Sequence, residues 1–469
     1  MSWLRRVGRV LARMSVIGEA QFRDTVDLAW PRIVTGFAIM SKRTVDLAIV
    51  GVAVGAEAVA GLGVANGFWT VGKFAYIGLA GGTLALVSQN YGGEEAGRAA
   101  DAVAASVLIA AVTAIPVAAV FALGARPLVG LVGGGPATTG FGAAYLAVVA
   151  PGLVFEAFNL VASRTYAGVG DTVTPMAVRA AGAVLNVTLS ATLVFGAGWG
   201  VVGAGVGTTL ATAIVALVFA WGMTGRSYAG RGASPIPVGP NSRPTSGLVR
   251  QLLRVTVPLV ARRIAQGVVV FPLLAIAAAF GPAALAALSV ARQIRQLLGS
   301  FTWGFSIAAS TLVGQALGGA EEARAVVYGR DIAKLSLLVY VLAAAVVVAV
   351  ARPVATLFVD SAVSLTALFV ASAAVSAVPL GVDGSLTGAL RGAGDTRVPF
   401  LATLAGLYLV ALPVAYLGTV TAVGVTALLV ALVAETTVPV AVNLRRFRSR
   451  TWLAVSRDYR PETGADIGD

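Results

Sequence analysis

The residues of this chain that could do chemistry are ionisable groups set inside apolar sequence. Asp46 is followed by Leu47-Ala48-Ile49-Val50, Glu156 closes Pro151-Gly-Leu-Val-Phe-Glu156, and Asp383 closes Pro379-Leu-Gly-Val-Asp383. Glu435 stands in the last apolar stretch, and Arg262, Arg263, Arg292 and Arg295 occupy similar settings. A charge placed in hydrocarbon costs about 3 kcal/mol on insertion scales, so such a residue either carries an ion or substrate, or is held by a partner. Asp46 admits both readings. It can load and release a cation, or it can neutralise Lys42 and Arg43, which lie at i−4 and i−3 on the same helix face. The arginines either pair with Asp383 and Glu435, or line a cavity suited to an anionic or phosphate-bearing compound, which guanidinium groups recognise through paired N–H donors. Glu156 and Asp383 are candidate cavity residues on similar faces of equivalent helices.

Absent residue types narrow the chemistry further. The chain has no cysteine and no histidine, which removes disulfides, thiolate nucleophiles, thiol zinc sites and the commonest near-neutral proton carrier. No Asp-rich cluster that could hold Mg²⁺ occurs, so a membrane-embedded prenyl transferase or phosphatase is disfavoured, and no metal or organic cofactor is expected. The formal charge of +13 would suit nucleic acid, but basic residues also gather at cytoplasmic membrane loops, and that reading is preferred.

The elements that must position these groups are membrane helices. Hydrophobic residues make up 58% of the 469, before 56 glycines are counted, and charged residues only 12%, against about 45–50% apolar and 25% charged in soluble domains. A span needs about 20 apolar residues. Spans are predicted near 27–52, 57–90, 98–125, 138–167, 173–196 and 201–224, and again near 251–279, 284–316, 325–351, 363–391, 398–417 and 421–444. The fold class is therefore an all-α polytopic membrane protein of twelve helices in two six-helix lobes. The segments 57–90 and 284–316 are too long for one straight crossing. The expected organisation is a basic amphipathic segment over 1–26, an N-lobe over 27–225, a linker over 226–250 rich in proline, a C-lobe over 251–447 and a polar tail over 448–469. Arg5, Arg6, Arg9, Arg13 and Arg23, then Arg226, Arg231, Arg243 and Arg250, then Arg445, Arg446, Arg448 and Arg450 mark three basic regions. They place both termini and the linker in the cytoplasm of a multi-pass plasma-membrane protein. The Arg5, Arg9, Arg13 spacing, with Leu4, Val7, Leu11 and Met14 opposite, predicts a short helix lying on an anionic leaflet.

The chain also repeats itself. Leu86-Val-Ser-Gln89-Asn-Tyr-Gly92-Gly93 recurs as Leu312-Val-Gly-Gln315-Ala-Leu-Gly318-Gly319, and Gly168-Val-Gly170-Asp171-Thr172-Val-Thr-Pro175 recurs as Gly392-Ala-Gly394-Asp395-Thr396-Arg-Val-Pro399. Gly168, Gly170, Asp171 and Pro175, with Gly392, Gly394, Asp395 and Pro399, read as a structural loop: glycine ends one helix, Asp or Thr caps the next, and proline fits its first turn.

These twice-occurring motifs, with six-plus-six helices, resemble the multidrug and toxic compound extrusion (MATE) transporters over roughly residues 25–445, and most nearly their DinF-like branch. The resemblance implies two lobes facing a central cavity, alternating access, and export of small organic compounds or drugs coupled to inward H⁺ or Na⁺ flow, by a monomer in the lipid bilayer. Carried over residue by residue, it implies an N-lobe ion-coupling site of Asp46, Tyr145, Asn186 and Thr208. Ser190 stands where that branch has a second Asp, which favours H⁺ over Na⁺. The alternative within the superfamily is a flippase for lipid-linked oligosaccharides.

Overall fold

The computed structural model describes residues 2–133, 135–227, 233–239, 242–360 and 362–459. Arg231 of the linker and the tail beyond 459 lie outside the described residues. Helix α1 (Ser2–Arg13) precedes α2 (Glu19–Ala53), α3 (Ala56–Gly92) and α4 (Ala96–Leu123). A short α5 (Ala125–Gly130) leads to α6 (Gly135–Val149), α7 (Gly152–Gly168), α8 (Val173–Ala191), a π-helical turn (Thr192–Gly196) and α9 (Gly200–Met223). The second half runs through α10 (Ser246–Val268), α11 (Val270–Ala279), α12 (Pro282–Gly318), α13 (Glu322–Ala349), the short α14 (Ala351–Thr356) and α15 (Val363–Gly392). Then come α16 (Arg397–Leu404), a π-helical segment (Ala405–Ala411), α17 (Leu412–Val420), α18 (Thr426–Arg448) and α19 (Thr451–Arg457). There is no strand among the described residues. Helices and closed β-barrels are the structures that satisfy every backbone N–H and C=O without water, and continuous apolar runs of about 20 residues suit the helix.

Among the described residues, ten segments are long and apolar enough to span a membrane, and α6 with α7, taken as one bent span, makes an eleventh. The protein is a multi-pass membrane protein. The remaining predicted span, near 27–52, lies in α2, 35 residues long. Its charges, among them Asp27, Arg32, Lys42, Arg43 and Asp46, interrupt the apolar run, so it is not among those ten. The pair α6–α7 bends by 52° at Pro151, which supplies no N–H and whose ring disrupts the preceding turn. Helices α3 and α12 are each continuous over 37 residues, about 55 Å at 1.5 Å per residue, which overruns a hydrocarbon core of about 30 Å.

The chain forms two compact units. One comprises Val34–Tyr91 and Glu95–Val260; the other comprises Met1–Ile33, Gly92–Glu94 and Ala261–Asp469. The core of the first includes Leu62, Leu84, Leu86, Leu146, Leu153 and Phe219, all fully buried. The second is built around the packing of α12 on α15, with Phe305, Val313, Tyr340, Leu386 and Leu390 in its core. Small residues set that contact. A Cβ on Gly388 would overlap the Ser306 carbonyl, and one on Gly392 would lie 2.6 Å from Ser310 O. With no hydrophobic drive between helices in lipid, such close approach is how they hold together.

Gly388→Ala is therefore expected to destabilise the protein by about 1–3 kcal/mol, because neither backbone can retreat far. Gly140→Ala, where nothing lies within 4 Å of the new Cβ, is the control. Thermal melting of the purified variants checks both, and an unchanged Gly388→Ala melting point would contradict the packing.

Candidate functional site

Asp46 lies in the outer-numbered third of α2 and is 6% exposed. Asn186 and Ser190 are one turn apart on α8, and Thr208 is on α9; Asn186 and Ser190 are fully buried. The α8–α9 contact is close because Gly207 has no side chain: a Cβ there would sit 2.7 Å from Ser190 N. Thr208, next along α9, is thereby brought within reach of Asn186. The hydrogen-bond network assigns the Asn186 amide: Nδ2 donates to both Asp46 carboxylate oxygens at 3.0 Å, and the amide oxygen accepts from Thr208 Oγ1 at 2.9 Å and from Thr208 N–H at 3.3 Å. The Ser190 and Thr208 hydroxyls lie near enough to act on the carboxylate, although Ser190 Oγ makes no hydrogen bond of good geometry. Tyr145, 4% exposed just before the α6–α7 bend, faces Thr208 and Asp46. The π-helical turn begins two residues after Ser190. The five residues predicted from resemblance thus converge in the first unit. Asp46 makes no ion pair among the described residues, so the local pair with Lys42 and Arg43 expected as its alternative is not formed. Lys42 acts on Asp46 only at longer range.

Glu156, a candidate cavity residue in the sequence, is consumed by structure. Its Oε1 lies 2.5 Å from Lys73 Nζ, and Arg179 clamps it with NH2–Oε1 at 2.8 Å and NH1–Oε2 at 3.2 Å. The carboxylate thereby ties α3, α7 and α8 together. A bidentate arginine on a carboxylate is among the strongest polar contacts available.

In the second unit the arginines divide. Arg262 NH2 donates to Asp383 Oδ2 at 2.6 Å and its Nε to Thr403 Oγ1 at 2.8 Å, while Asn443 Nδ2 donates to Asp383 Oδ1 at 2.7 Å. Arg295 pairs with Glu435, and Arg292 NH1 stands 3.8 Å from the same carboxylate. Pairing therefore accounts for Arg262, Arg292 and Arg295. Arg263 has a different environment: its guanidinium lies 4.8 Å from the centroid of the Trp303 ring, and NH1 donates to Gln266 Oε1 at 3.3 Å.

The repeated loops close as helix junctions. Gly168 and Gly392 end α7 and α15, Gly170 and Gly394 take φ of +94° and +83°, and Pro175 and Pro399 are each the third residue of the next helix. Asp171 Oδ1 accepts from Thr174 N–H at 2.9 Å, as a helix cap does, whereas Asp395 Oδ2 accepts from Arg446 Nε at 2.7 Å. Reading the sequence missed Lys73, Arg179, Thr403 and Asn443, which complete the ion-pair clusters. A cation in an apolar run signals such a role for Lys73 and Arg179, but nothing local marks a threonine or an asparagine.

The family model for MatE matches residues 31–192 and 258–417, two copies offset by nearly the spacing of the internal repeat. The chain belongs to the MatE family. It is 27% identical over 413 residues to the probable multidrug resistance protein NorM of Bradyrhizobium diazoefficiens, covering 84% of this chain and 86% of that one. A second probable multidrug resistance protein NorM, from Thermotoga maritima, is 27% identical over 282 residues, covering 58% and 59%. Among solved structures, the fold matches a MATE protein in the bent conformation with a TM-score of 0.86 at 19% identity, over 94% of this chain and 97% of that one. Members of the MatE family are transporters rather than enzymes, and the family fold has the two-half arrangement that the repeat in this sequence predicts.

The ion-pair geometry sets a stability test. Glu156→Gln leaves Lys73 and Arg179 buried without their counter-charge and is expected to cost about 3–5 kcal/mol. The added change Lys73→Met should recover part of the loss. Melting of single and double variants in one detergent decides it, and a Glu156→Gln protein as stable as the parent would show that the clamp is dispensable.

Proposed function

We propose that this MatE-family protein is a secondary active exporter of small organic compounds, working by alternating access and driven by inward H⁺, with Asp46 as the proton-carrying residue. Tyr145, Asn186, Ser190 and Thr208 form its surroundings. The observation that carries the reading is that, among the described residues, Asp46 is the one buried intramembrane carboxylate that makes no ion pair; its close partners are Asn186 at 3.0 Å and the nearby hydroxyls. Glu156, Asp383 and Glu435 are each locked to arginine. Protonating a carboxylate held by arginine strands a buried cation. Protonating Asp46 breaks no direct ion pair, since Lys42 acts on it only at longer range, so it can change state within a cycle. Ser190 leaves the site with a single carboxylate, which suffices for one proton and makes a poor cage for Na⁺, a cation bound through several oxygen ligands. The names of the two NorM relatives support multidrug compounds as the exported class. The protein is read as a monomer in the plasma membrane, with lobes over 27–225 and 251–447 and both termini cytoplasmic.

Asp46→Asn keeps the side-chain shape and a polar group for Asn186, and cannot ionise. The variant is expected to melt within a few degrees of the parent, to bind substrate with no dependence on pH, and to lose gradient-driven export in proteoliposomes. Parent proteoliposomes should respond to an imposed pH gradient and not to a Na⁺ gradient. Export driven by Na⁺ alone, or full export by Asp46→Asn, would refute the assignment.

A further inference from the structure

We infer that the second unit contains a binding site for phosphate monoesters, formed by Arg263 and Arg391 beside Trp303. The inference deepens the exporter reading by naming a substrate class, and its biological use rests on that reading.

Trp303, Ser306 and Ser310 fall at i, i+3 and i+7 of α12 and so share one face. Arg391, near the end of α15, lies along that face: its Nε donates to Ser310 Oγ at 3.2 Å and its NH2 to Ser306 O at 2.9 Å. These acceptors hold the guanidinium in place without neutralising it. Arg263 approaches Trp303 from α10, 4.8 Å from the ring centroid, and Arg32 lies 5.3 Å from the same centroid. Interaction through a ring face leaves the edge N–H groups of a guanidinium for another acceptor. Arg262 and Arg263 both act electrostatically on Arg391.

The carboxylates nearby are already engaged. Asp383 gives one oxygen to Arg262 and the other to Asn443, and Glu435 is taken by Arg295 and Arg292. Among the described residues neither Arg263 nor Arg391 makes an ion pair. Arg262, Arg263 and Arg391 against Asp383 therefore leave two positive charges uncompensated in a region of low dielectric, an arrangement that favours an anion from outside. A phosphate monoester dianion carries two negative charges and presents several acceptor oxygens to forked donors. Arg263, Arg391 and Trp303 are each only partly buried, so a ligand can reach them.

The test uses the full chain in phosphatidylcholine nanodiscs and 1-naphthyl phosphate as probe, measured by equilibrium dialysis. Saturable binding is expected, and Arg263→Gln and Arg391→Gln should each weaken it about tenfold or more, the scale of losing one charge-assisted contact. Arg457→Gln should leave it unchanged, since Arg457 is exposed and paired with Glu322, Nε to Oε1 at 2.9 Å. Arg263→Lys, which keeps the charge but not the fork, serves if the glutamine variant does not fold, and it too should bind more weakly. (1-Naphthylmethyl)trimethylammonium should not compete. Absence of saturable binding, equal binding by the Arg263 variants, or competition by the cation would overturn the site. Phosphatidic acid added to the disc separates the two sources of this chemistry: competition assigns the site to a lipid headgroup, and none assigns it to a soluble monoester. Proteoliposome flux keeps the two readings apart. Probe that binds but is not moved by any gradient defeats the exporter reading and leaves the site standing; an exported cation with no probe binding does the reverse.

Discussion

The constraint on which this structure depends is the cost of a charge in hydrocarbon. A carboxylate or guanidinium in the apolar interior must find compensation there, because water is not at hand to supply it. The interior is organised accordingly. Glu156 gathers Lys73 and Arg179, Asp383 gathers Arg262 and Asn443, and Glu435 gathers Arg295 and Arg292. Each cluster joins helices distant in sequence, so the charges that are expensive singly become fixed points of the tertiary fold. Against that background two places stand out because compensation is incomplete. Asp46 has neutral close partners, and among the described residues Arg263 and Arg391 make no ion pair.

Backbone proximity makes these clusters possible. Glycines at 384, 388 and 392 face α12 at four-residue intervals and bring α15 close enough for Arg391 to reach Ser306 and Ser310. Gly207 does the same for α8 and α9 beside Ser190, which lets Thr208 meet Asn186. In lipid these contacts rest on packing and polar bonds, not on exclusion of water. A methyl group at the wrong glycine would thus disturb both the packing and the polar geometry built on it.

The internal repeat is a scaffold whose two copies have been put to different uses. Both loops have glycine in the left-handed region and proline in the first turn of the following helix. Their aspartates differ, since Asp171 caps a helix while Asp395 holds Arg446 of α18. The same divergence appears inside the halves: an isolated carboxylate in the first unit, a surplus of guanidinium groups in the second.

The sequence by itself determined the helices, because an apolar run of span length has one backbone solution in lipid, and it determined the repeat, because glycine, aspartate and proline at fixed spacing do not recur by composition. Asp46, Tyr145, Asn186, Ser190 and Thr208 were singled out by family resemblance, residue by residue, and not by composition. Tertiary structure decided which charges cancel. Lys42 and Arg43 share a helix face with Asp46 in sequence, yet the carboxylate turns to Asn186; Glu156 reads as a lone acid, yet meets two cations from other helices. Four arginines look alike in the sequence, and only the packing of α10, α12 and α15 separates Arg263 from the three that are paired. Ion pairing depends on distances between helices, and those distances are set by side chains far apart along the chain.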